Sequence, residues 1–221
     1  MIAALITSIL IFGIILSFVE HQVHKRIMHK QKPFKWLDRI FDPRYIFEAH
    51  AVRHHSIWYR QFDFEPDPEG RDDNIELRLE DMTRIFLFLI PINVLFFIIS
   101  PVAGLIFPVM TFMYQYFQNK LHSQMHLPKP TFFSEWRIFH WLAIHHYIHH
   151  QYTNKNYNVV LPVADYILGT KAKPRTKHIR ELLRLGYIKP RRAVTELRLQ
   201  KSRQAIAVQR QEILLNSNQI A

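Results

Sequence analysis

Two long apolar stretches separate the polar segments of this chain. Residues Met1 to Val19 carry no charged side chain, and 19 residues are about the length that a helix needs to cross a hydrocarbon core of roughly 30 Å. The sequence has neither a basic region before this stretch nor a small-residue cleavage site after it, so we interpret it as a retained helix rather than a signal peptide. The first stretch therefore predicts one transmembrane helix.

The second apolar stretch, Ile85 to Phe117, is predicted to double back. Its 33 uncharged residues would form a straight helix of about 50 Å at about 1.5 Å per residue, which is too long for one span. A Ser-Pro pair and a nearby glycine at its centre favour a turn. We predict a helical hairpin, Met82–Ser100 and Pro101–Asn119, whose helices span the bilayer or dip into it and return the chain to the same side.

The distribution of positive charge predicts the orientation. No lysine or arginine precedes Lys25, and both flanks of the hairpin are rich in them. By the positive-inside rule, the chain from Glu20 onward and both flanks of the hairpin lie on the cytoplasmic side. We expect an integral membrane protein of the bacterial inner membrane or the endoplasmic reticulum. The predicted fold is all-α, a membrane-embedded helical bundle with a cytosolic cap.

Composition divides the chain into two parts and excludes several kinds of site. We predict a membrane-embedded catalytic domain over residues 1–170 and a basic, helical cytosolic tail over residues 171–221, with a helix over Ala193–Leu215. The net charge is +11, and the basic tail suits an anionic membrane surface better than nucleic acid, because no nucleic-acid-binding motif is present. The absence of cysteine excludes disulfides, zinc–thiolate sites and iron–sulfur clusters.

Histidine is the unusual residue, with 14 copies, most of them in four clusters. The clusters are His24 and His29; His50, His54 and His55; His122 and His126; and His146, His149 and His150. Spacings of three and four residues place side chains on one helical face. We therefore expect three sets to point the same way: His50 with His54, His122 with His126, and the last cluster. The His24/His29 pair is an exception, about 140° apart on an ideal helix, and suits a helix end or a bend.

Ten clustered histidines are enough for two metal ions. Neutral imidazole is a good ligand for iron, copper, zinc and nickel. A hydrolytic zinc site needs only about three ligands, so ten would be in excess, whereas dimetal sites that activate O₂ need many. Soluble di-iron proteins use Glu-x-x-His pairs, and only Glu20 precedes a clustered histidine in a comparable way, so the predicted ligand set is dominated by histidine.

The order of these motifs resembles the fatty acid hydroxylase superfamily, which includes sterol desaturases and other lipid hydroxylases. The family pattern H-x4-H, H-x2-HH, H-x3-H, H-x2-HH corresponds to four segments in order: His24-x4-His29, His50-x3-His54-His55, His122-x3-His126 and His146-x2-His149-His150. The chain departs from the pattern in three places. Three residues follow His50 instead of two. After its last His-His pair the family has an Asn-Tyr-Gly-like turn and a Trp-Asp-like site, and here Asn158 replaces the glycine and Ala164 the tryptophan. The last two departures leave the substrate class open.

The resemblance, which covers Val19 to Thr170, implies a dimetal centre at the membrane surface. It implies two iron ions, with another divalent metal such as zinc able to occupy the site in purified protein. It further implies O₂-dependent hydroxylation or desaturation of a fatty-acyl or sterol-like lipid, with electrons from an external donor, either cytochrome b5-like or a ferredoxin/reductase pair. The implied metal ligands are His24, His29, His50, His54, His55, His122, His126, His146, His149 and His150.

Six further residues have less specific roles. Asn156 and Asp165 are candidates to accept hydrogen bonds from metal-bound imidazoles, although a loop asparagine and a helix-capping aspartate would look the same. No role is assigned to His21, His140 or His145. His178, in the basic tail, is expected to be solvated.

Three other functions remain as alternatives. A carotenoid-type hydroxylase also uses four histidine clusters on a small membrane protein. A three-box acyl-lipid desaturase tolerates the three-residue gap after His50, but its boxes usually lie farther apart than the third and fourth clusters here. A metal-binding or transport protein of the membrane should carry ligands within its spans, and the two apolar stretches have none.

Overall fold

The computed structural model describes residues 2–30, 43–60, 62, 79–126 and 131–220. Across these residues the regular secondary structure is entirely helical, which confirms the predicted all-α class. The chain divides into two compact units, Met1–Ala172 and Lys173–Ala221. All four histidine clusters lie in the first unit.

The first apolar stretch forms helix α1 (Ile2–Val23), which continues directly into a π-helical segment, π1 (His24–Met28). Together they include a run, Leu5–Met28, that is long and apolar enough to cross a membrane. Among the described residues it is the one straight helix that meets this test. A second is added if the bent pair Met82–Phe88 and Ile90–Ile99, with 50° between its halves, is taken as a single span.

Two short helical segments follow, and then the second apolar stretch. The segments are α2 (Pro43–Phe47) and an eleven-residue π-helix, π2 (Glu48–Trp58). The apolar stretch forms α3 (Leu79–Phe88), α4 (Ile90–Ile99) and α5 (Pro101–His126). The bend after Leu89 coincides with Pro91, whose ring removes a backbone donor and clashes with the preceding turn.

The hairpin turns at Ser100. This residue is extended, as the residue before a proline tends to be. The two arms approach so closely that a Cβ built on Gly104 would lie 2.5 Å from Cβ of Phe97. Far from the turn, the Asn119 side chain reaches Met82 Sδ at 3.8 Å. Residues late in α5 therefore pair with residues early in the other arm, which makes the two arms antiparallel. The chain leaves the hairpin at the same end at which it entered.

Aromatic and aliphatic side chains join α1 to the hairpin. Phe12 packs against Phe96 and Phe107, with ring centroids 4.8 and 5.2 Å apart, and Leu16, Leu89 and Tyr114 belong to the same buried cluster. The packing fixes α1 beside α5, so the histidines at the C-terminal ends of the two helices lie at the same end of the bundle.

The chain then returns to α1 through helices α6 (Arg137–Gln151) and α7 (Val163–Ile167). Ser17 Oγ donates a hydrogen bond to Leu161 O at 2.5 Å and accepts one from the backbone N–H of Ala164 at 3.0 Å. These bonds hold the start of α7 against the middle of α1.

The second unit contains helices α8 (Thr176–Arg184) and α9 (Pro190–Ile220). The predicted tail helix, Ala193–Leu215, is part of the longer α9. The expectation that His178 is solvated is wrong, because its side chain is buried. Its Nδ1 accepts a hydrogen bond from the Arg175 backbone N–H at 3.0 Å and so caps the start of α8.

Candidate metal centre

Ten histidines converge in two groups of five. Within each group, ring nitrogens that can bind a metal all lie within 4.8 Å of one another. The His24 group contains His24, His29, His50, His55 and His149. The His54 group contains His54, His122, His126, His146 and His150. These are the ten residues that the resemblance implies as ligands, and each group combines histidines from before and after the hairpin.

The two groups adjoin because consecutive histidines divide between them. His54 and His55 belong to different groups, and so do His149 and His150. Across the boundary, the His55 and His150 ring centroids are 4.0 Å apart. His50 and His54 were expected to point the same way. Their rings do stack at 5.3 Å, but they serve different groups.

Pairs of histidines on π-helices enter the His24 group, and pairs on α-helices enter the His54 group. The pairs His24/His29 and His50/His55 are five residues apart, lie on π1 and π2, and both belong to the His24 group. In a π-helix residue i+5 bonds to residue i, as the His29 N–H does to His24 O at 3.2 Å, so side chains five apart come together. The pairs four residues apart, on α5 and α6, belong to the His54 group.

The imidazoles point their Nε2 atoms at one another. In the His24 group, His24 and His50 Nε2 are 2.8 Å apart, and His29 and His149 Nε2 are 3.0 Å apart. In the His54 group, His126 Nε2 lies 3.1 Å from its neighbour on α6. The group centres are therefore lined by nitrogen atoms.

Backbone carbonyls fix the protonation of several rings. In the His24 group, His24 Nδ1 contacts Tyr157 O and His149 Nδ1 contacts Lys155 O at 2.7 Å. In the His54 group, His126 Nδ1 lies 3.0 Å from Phe62 O and His150 Nδ1 lies 3.2 Å from Tyr59 O. A carbonyl can only accept, so each Nδ1 carries the proton and each neutral ring presents its Nε2 lone pair to the group centre.

This arrangement fits a transition metal ion in each group. Lone pairs that face one another at about 3 Å repel unless a cation lies between them. Both ring nitrogens of His54, and Nε2 of His150, are buried without a hydrogen-bond partner among the described residues, and such groups are costly without one. An all-imidazole donor set suits iron, copper, zinc or nickel, whereas magnesium and calcium prefer oxygen.

Burial keeps the imidazoles neutral. It lowers the pKa of His29 to about 4. Burial, followed by the proximity of neighbouring histidines, holds the pKa values of His50, His54 and His55 well below the usual range. Metal binding requires the deprotonated nitrogen, so protons compete weakly with a metal here at neutral pH.

Asp165 organises the loop behind the His24 group. Its carboxylate accepts hydrogen bonds from the backbone N–H groups of Tyr157 and Asn158 at 2.9 and 2.8 Å, and from Thr170 Oγ1 at 2.6 Å. His145 Nε2 adds a fourth at 2.9 Å. Burial alone would raise the pKa of this carboxyl, but these hydrogen bonds lower it below its usual value.

Asn156 supports the same loop. It has a positive φ of 53°, a conformation that asparagine tolerates well. Its side-chain amide donates to His145 O at 3.0 Å and to Ala172 O at 3.2 Å, and its Oδ1 accepts from the Ala172 N–H. Asn156 and Asp165 thus hold the loop whose carbonyls contact His24 and His149, rather than these two imidazoles themselves.

Glu20 holds this loop from the opposite side, a role that the sequence did not indicate. It is buried, and it accepts hydrogen bonds from Tyr114 Oη at 2.7 Å, Asn158 Nδ2 at 2.8 Å and the Val159 N–H at 2.8 Å. The glutamate therefore joins α1, α5 and the loop.

The three histidines without an assigned role lie outside both groups. His145 pairs with Asp165, as described above. His21 Nε2 lies 3.0 Å from Thr170 Oγ1, and His140 Nε2 donates to Ser134 O at 2.9 Å. Each has its own partner in the surrounding framework.

No family model, no curated protein and no solved structure matches the chain. The molecule itself shows a helical protein with two adjoining, buried histidine groups, each able to hold a metal ion.

Proposed function

We propose that the chain is an O₂-dependent di-iron oxygenase of the membrane, similar to the fatty acid hydroxylase superfamily, that hydroxylates or desaturates a lipid C–H bond. The observation that carries the proposal is the pair of adjoining groups, each built from five histidines. Two iron ions, one in each group, would supply the O₂ and electron chemistry that oxidation of an unactivated C–H bond requires.

The protein's part is to hold the ten imidazoles in one protonation state and orientation. In four rings the Nδ1–H donates a hydrogen bond to a backbone carbonyl, that of Tyr157, Lys155, Phe62 or Tyr59. The Nε2 atom of each of these rings is then free to bind a metal ion. Such outer partners orient a ligand ring and raise its basicity. The buried surroundings limit the access of water to the group centres.

The outer faces of α1 and the hairpin support a membrane location. Large apolar side chains there are unusually exposed, such as Leu10 at 63 %, Ile98 at 74 % and Leu105 at 66 %. Contiguous exposed apolar surface on this scale marks an interaction site, and helices of this length and composition favour lipid as the partner. The histidine groups would then lie at the cytoplasmic face, where O₂ and an external electron donor, cytochrome b5-like or a ferredoxin/reductase pair, can reach them.

A cavity between α1, α3 and α5 offers a place for the reacting part of a lipid. It has a volume of about 40 Å³, and His24 forms part of its wall. Leu16, Val19 and Ile85 contribute apolar surface. A chain that enters between these helices from the bilayer would reach the His24 group without crossing water.

The same geometry argues against two of the three alternatives, the three-box desaturase and the metal transporter. Ligands from all four histidine clusters meet in the two groups, which favours a four-cluster enzyme over a three-box desaturase. A carotenoid-type hydroxylase remains compatible, because it differs in substrate rather than in metal centre. A metal transporter needs a path through the bilayer, whereas the grouped histidines are buried together at one end of the bundle.

Expression in a host that lacks the product, followed by mass spectrometry of its lipids, tests the proposal. Hydroxylation adds one oxygen atom to a host lipid and desaturation removes two hydrogen atoms, in either case only when O₂ is supplied. A His149→Ala variant should form no product. An unchanged lipid profile from iron-loaded, reduced protein in the presence of acyl, sterol and carotenoid lipids would contradict the proposal.

A further inference from the structure

Polar side chains of α5 line one wall of the cavity beside the His24 group. Thr111, Gln115 and Gln118 line it from α5 and are spaced four and three residues apart, so they share one face of that helix. The same face continues to His122 and His126 of the His54 group. A polar stripe therefore runs along α5 from the cavity to the metal centre.

Gln115 differs from the other buried polar groups on this wall. The Thr111 hydroxyl donates to Phe107 O at 3.0 Å, and the Tyr114 hydroxyl donates to Glu20. Gln115 is only 6 % exposed, lines the cavity, and has no hydrogen-bond partner among the described residues. Its amide is not among the polar atoms that are completely buried without a partner, so a molecule in the cavity can reach it and make these hydrogen bonds.

We propose, given the function proposed above, that Gln115 recognises a hydroxyl group on the lipid substrate. The amide both donates and accepts, and a hydroxyl does the same, so one hydroxyl can satisfy both halves of the side chain. The remaining walls are largely apolar and suit the adjoining hydrocarbon, and their polar members, Glu20 and His24, already bond to Asn158 and Tyr157. The cavity has room for about three water-sized groups, which matches an oxygenated segment of a lipid rather than a whole molecule.

Helix geometry places this hydroxyl relative to the metals. Gln115 precedes His122 by seven residues, or about 10 Å along the axis of α5 at 1.5 Å per residue. The recognised oxygen lies on the membrane side of the centre, and the C–H bond to be oxidised lies nearer the histidines. Gln115 is therefore a specificity determinant that selects an already hydroxylated lipid over a plain hydrocarbon chain.

A pair of probes that differ by one hydroxyl tests this proposal. The affinities of 1-hexadecanol and hexadecane are measured on metal-loaded protein in detergent, for the wild type and for Gln115→Leu. We expect the wild type to bind 1-hexadecanol about tenfold more tightly, the effect of one additional buried hydrogen bond, and Gln115→Leu to lose that preference. Gln204→Leu, an exposed position on α9, is the matched control and should keep it.

Metal content shows whether each variant is folded. Gln115→Asn keeps the amide but shortens its reach, so it should show an intermediate preference for 1-hexadecanol over hexadecane. Equal affinities of the two probes in the wild type, or an undiminished preference in folded Gln115→Leu, would overturn the role of Gln115. If the proposed oxygenase function is wrong instead, no lipid is oxidised, regardless of which probe binds more tightly.

Discussion

His54 and His55 are consecutive residues whose imidazoles serve different histidine groups, with ring centroids 5.0 Å apart and planes at 83°. His149 and His150 repeat this relationship on α6. Each His-His pair therefore fixes the spacing between the two groups through a single peptide bond. Two metal ions held this way are tied to one another by the backbone as well as by any ligand between them.

Single substitutions in one such pair should remove one metal each. In His54→Ala we expect the metal of the His54 group to be lost and that of the His24 group to be retained, and in His55→Ala the reverse. The metal-to-protein ratio, measured by inductively coupled plasma mass spectrometry, should fall from about two towards one in both variants. His140→Ala is the control, because His140 bonds to Ser134 O outside both groups, and it should retain both metals.

Asp165→Asn should weaken the His24 group selectively. The carboxylate accepts from the Tyr157 and Asn158 N–H groups, and an amide would lose one of these acceptors. The Tyr157 carbonyl would then hold His24 less firmly, and outer partners of this kind change metal affinity by about 10- to 100-fold. Titration with a chelator measures the affinity of each site.

The control for Asp165 is Glu181→Gln, which removes a carboxylate from an ion pair with Arg184 on α8. It should leave both metal affinities unchanged. Equal weakening of both groups in Asp165→Asn would show that the loop supports the whole centre rather than the His24 group.

The metal-free protein should lose stability as the pH falls. In the unfolded chain a histidine has a pKa near 6.5, whereas burial lowers the pKa of His29 to about 4 in the fold. Between these values the unfolded state binds more protons, so the free energy of unfolding decreases as the pH decreases through this window. Asp165, whose pKa lies below its usual value, is ionised in both states over most of this window and contributes little to the change in stability.

Thermal unfolding of the metal-free protein at about pH 7.5 and about pH 5.5 checks this expectation, with the lower melting temperature at the lower pH. Bound metal should raise the melting temperature at both values. A metal-free protein that is equally stable at both would mean that the imidazoles are not buried as described.

Two glycines in the apolar helices should respond differently to alanine. At Gly104 a Cβ would lie 2.5 Å from Cβ of Phe97, so the hairpin arms must separate, at a cost of about 1–3 kcal/mol. At Gly13 the nearest atom, in Leu161, is 3.6 Å away, and alanine favours the helix. Thermal unfolding in detergent should show a lower melting temperature for Gly104→Ala and an equal or higher one for Gly13→Ala.

The sequence predicted what depends on local pattern. The uncharged runs indicated α1 and the hairpin, and the turn at Ser100 followed from the proline after it. The bend after Leu89 was not predicted, although Pro91 signals it. The four clusters indicated a two-metal site, and the structure brings their histidines into two groups.

What the sequence could not provide depends on π-helical geometry and on long-range contacts. An ideal α-helix separates His24 from His29, and only the π-turn brings them together. The same geometry divides His50 from His54, which an α-helical pattern would unite. Glu20 contacts residues more than 90 positions away, so no local spacing reveals it.

Metal content and ligand type, measured together on the purified chain, test most directly whether both halves of the chain meet around a pair of metals. Iron analysis combined with X-ray absorption spectroscopy should show two ions per chain, each surrounded mainly by imidazole nitrogen. One ion or none per chain after reconstitution, or a ligand set dominated by oxygen, would contradict the account.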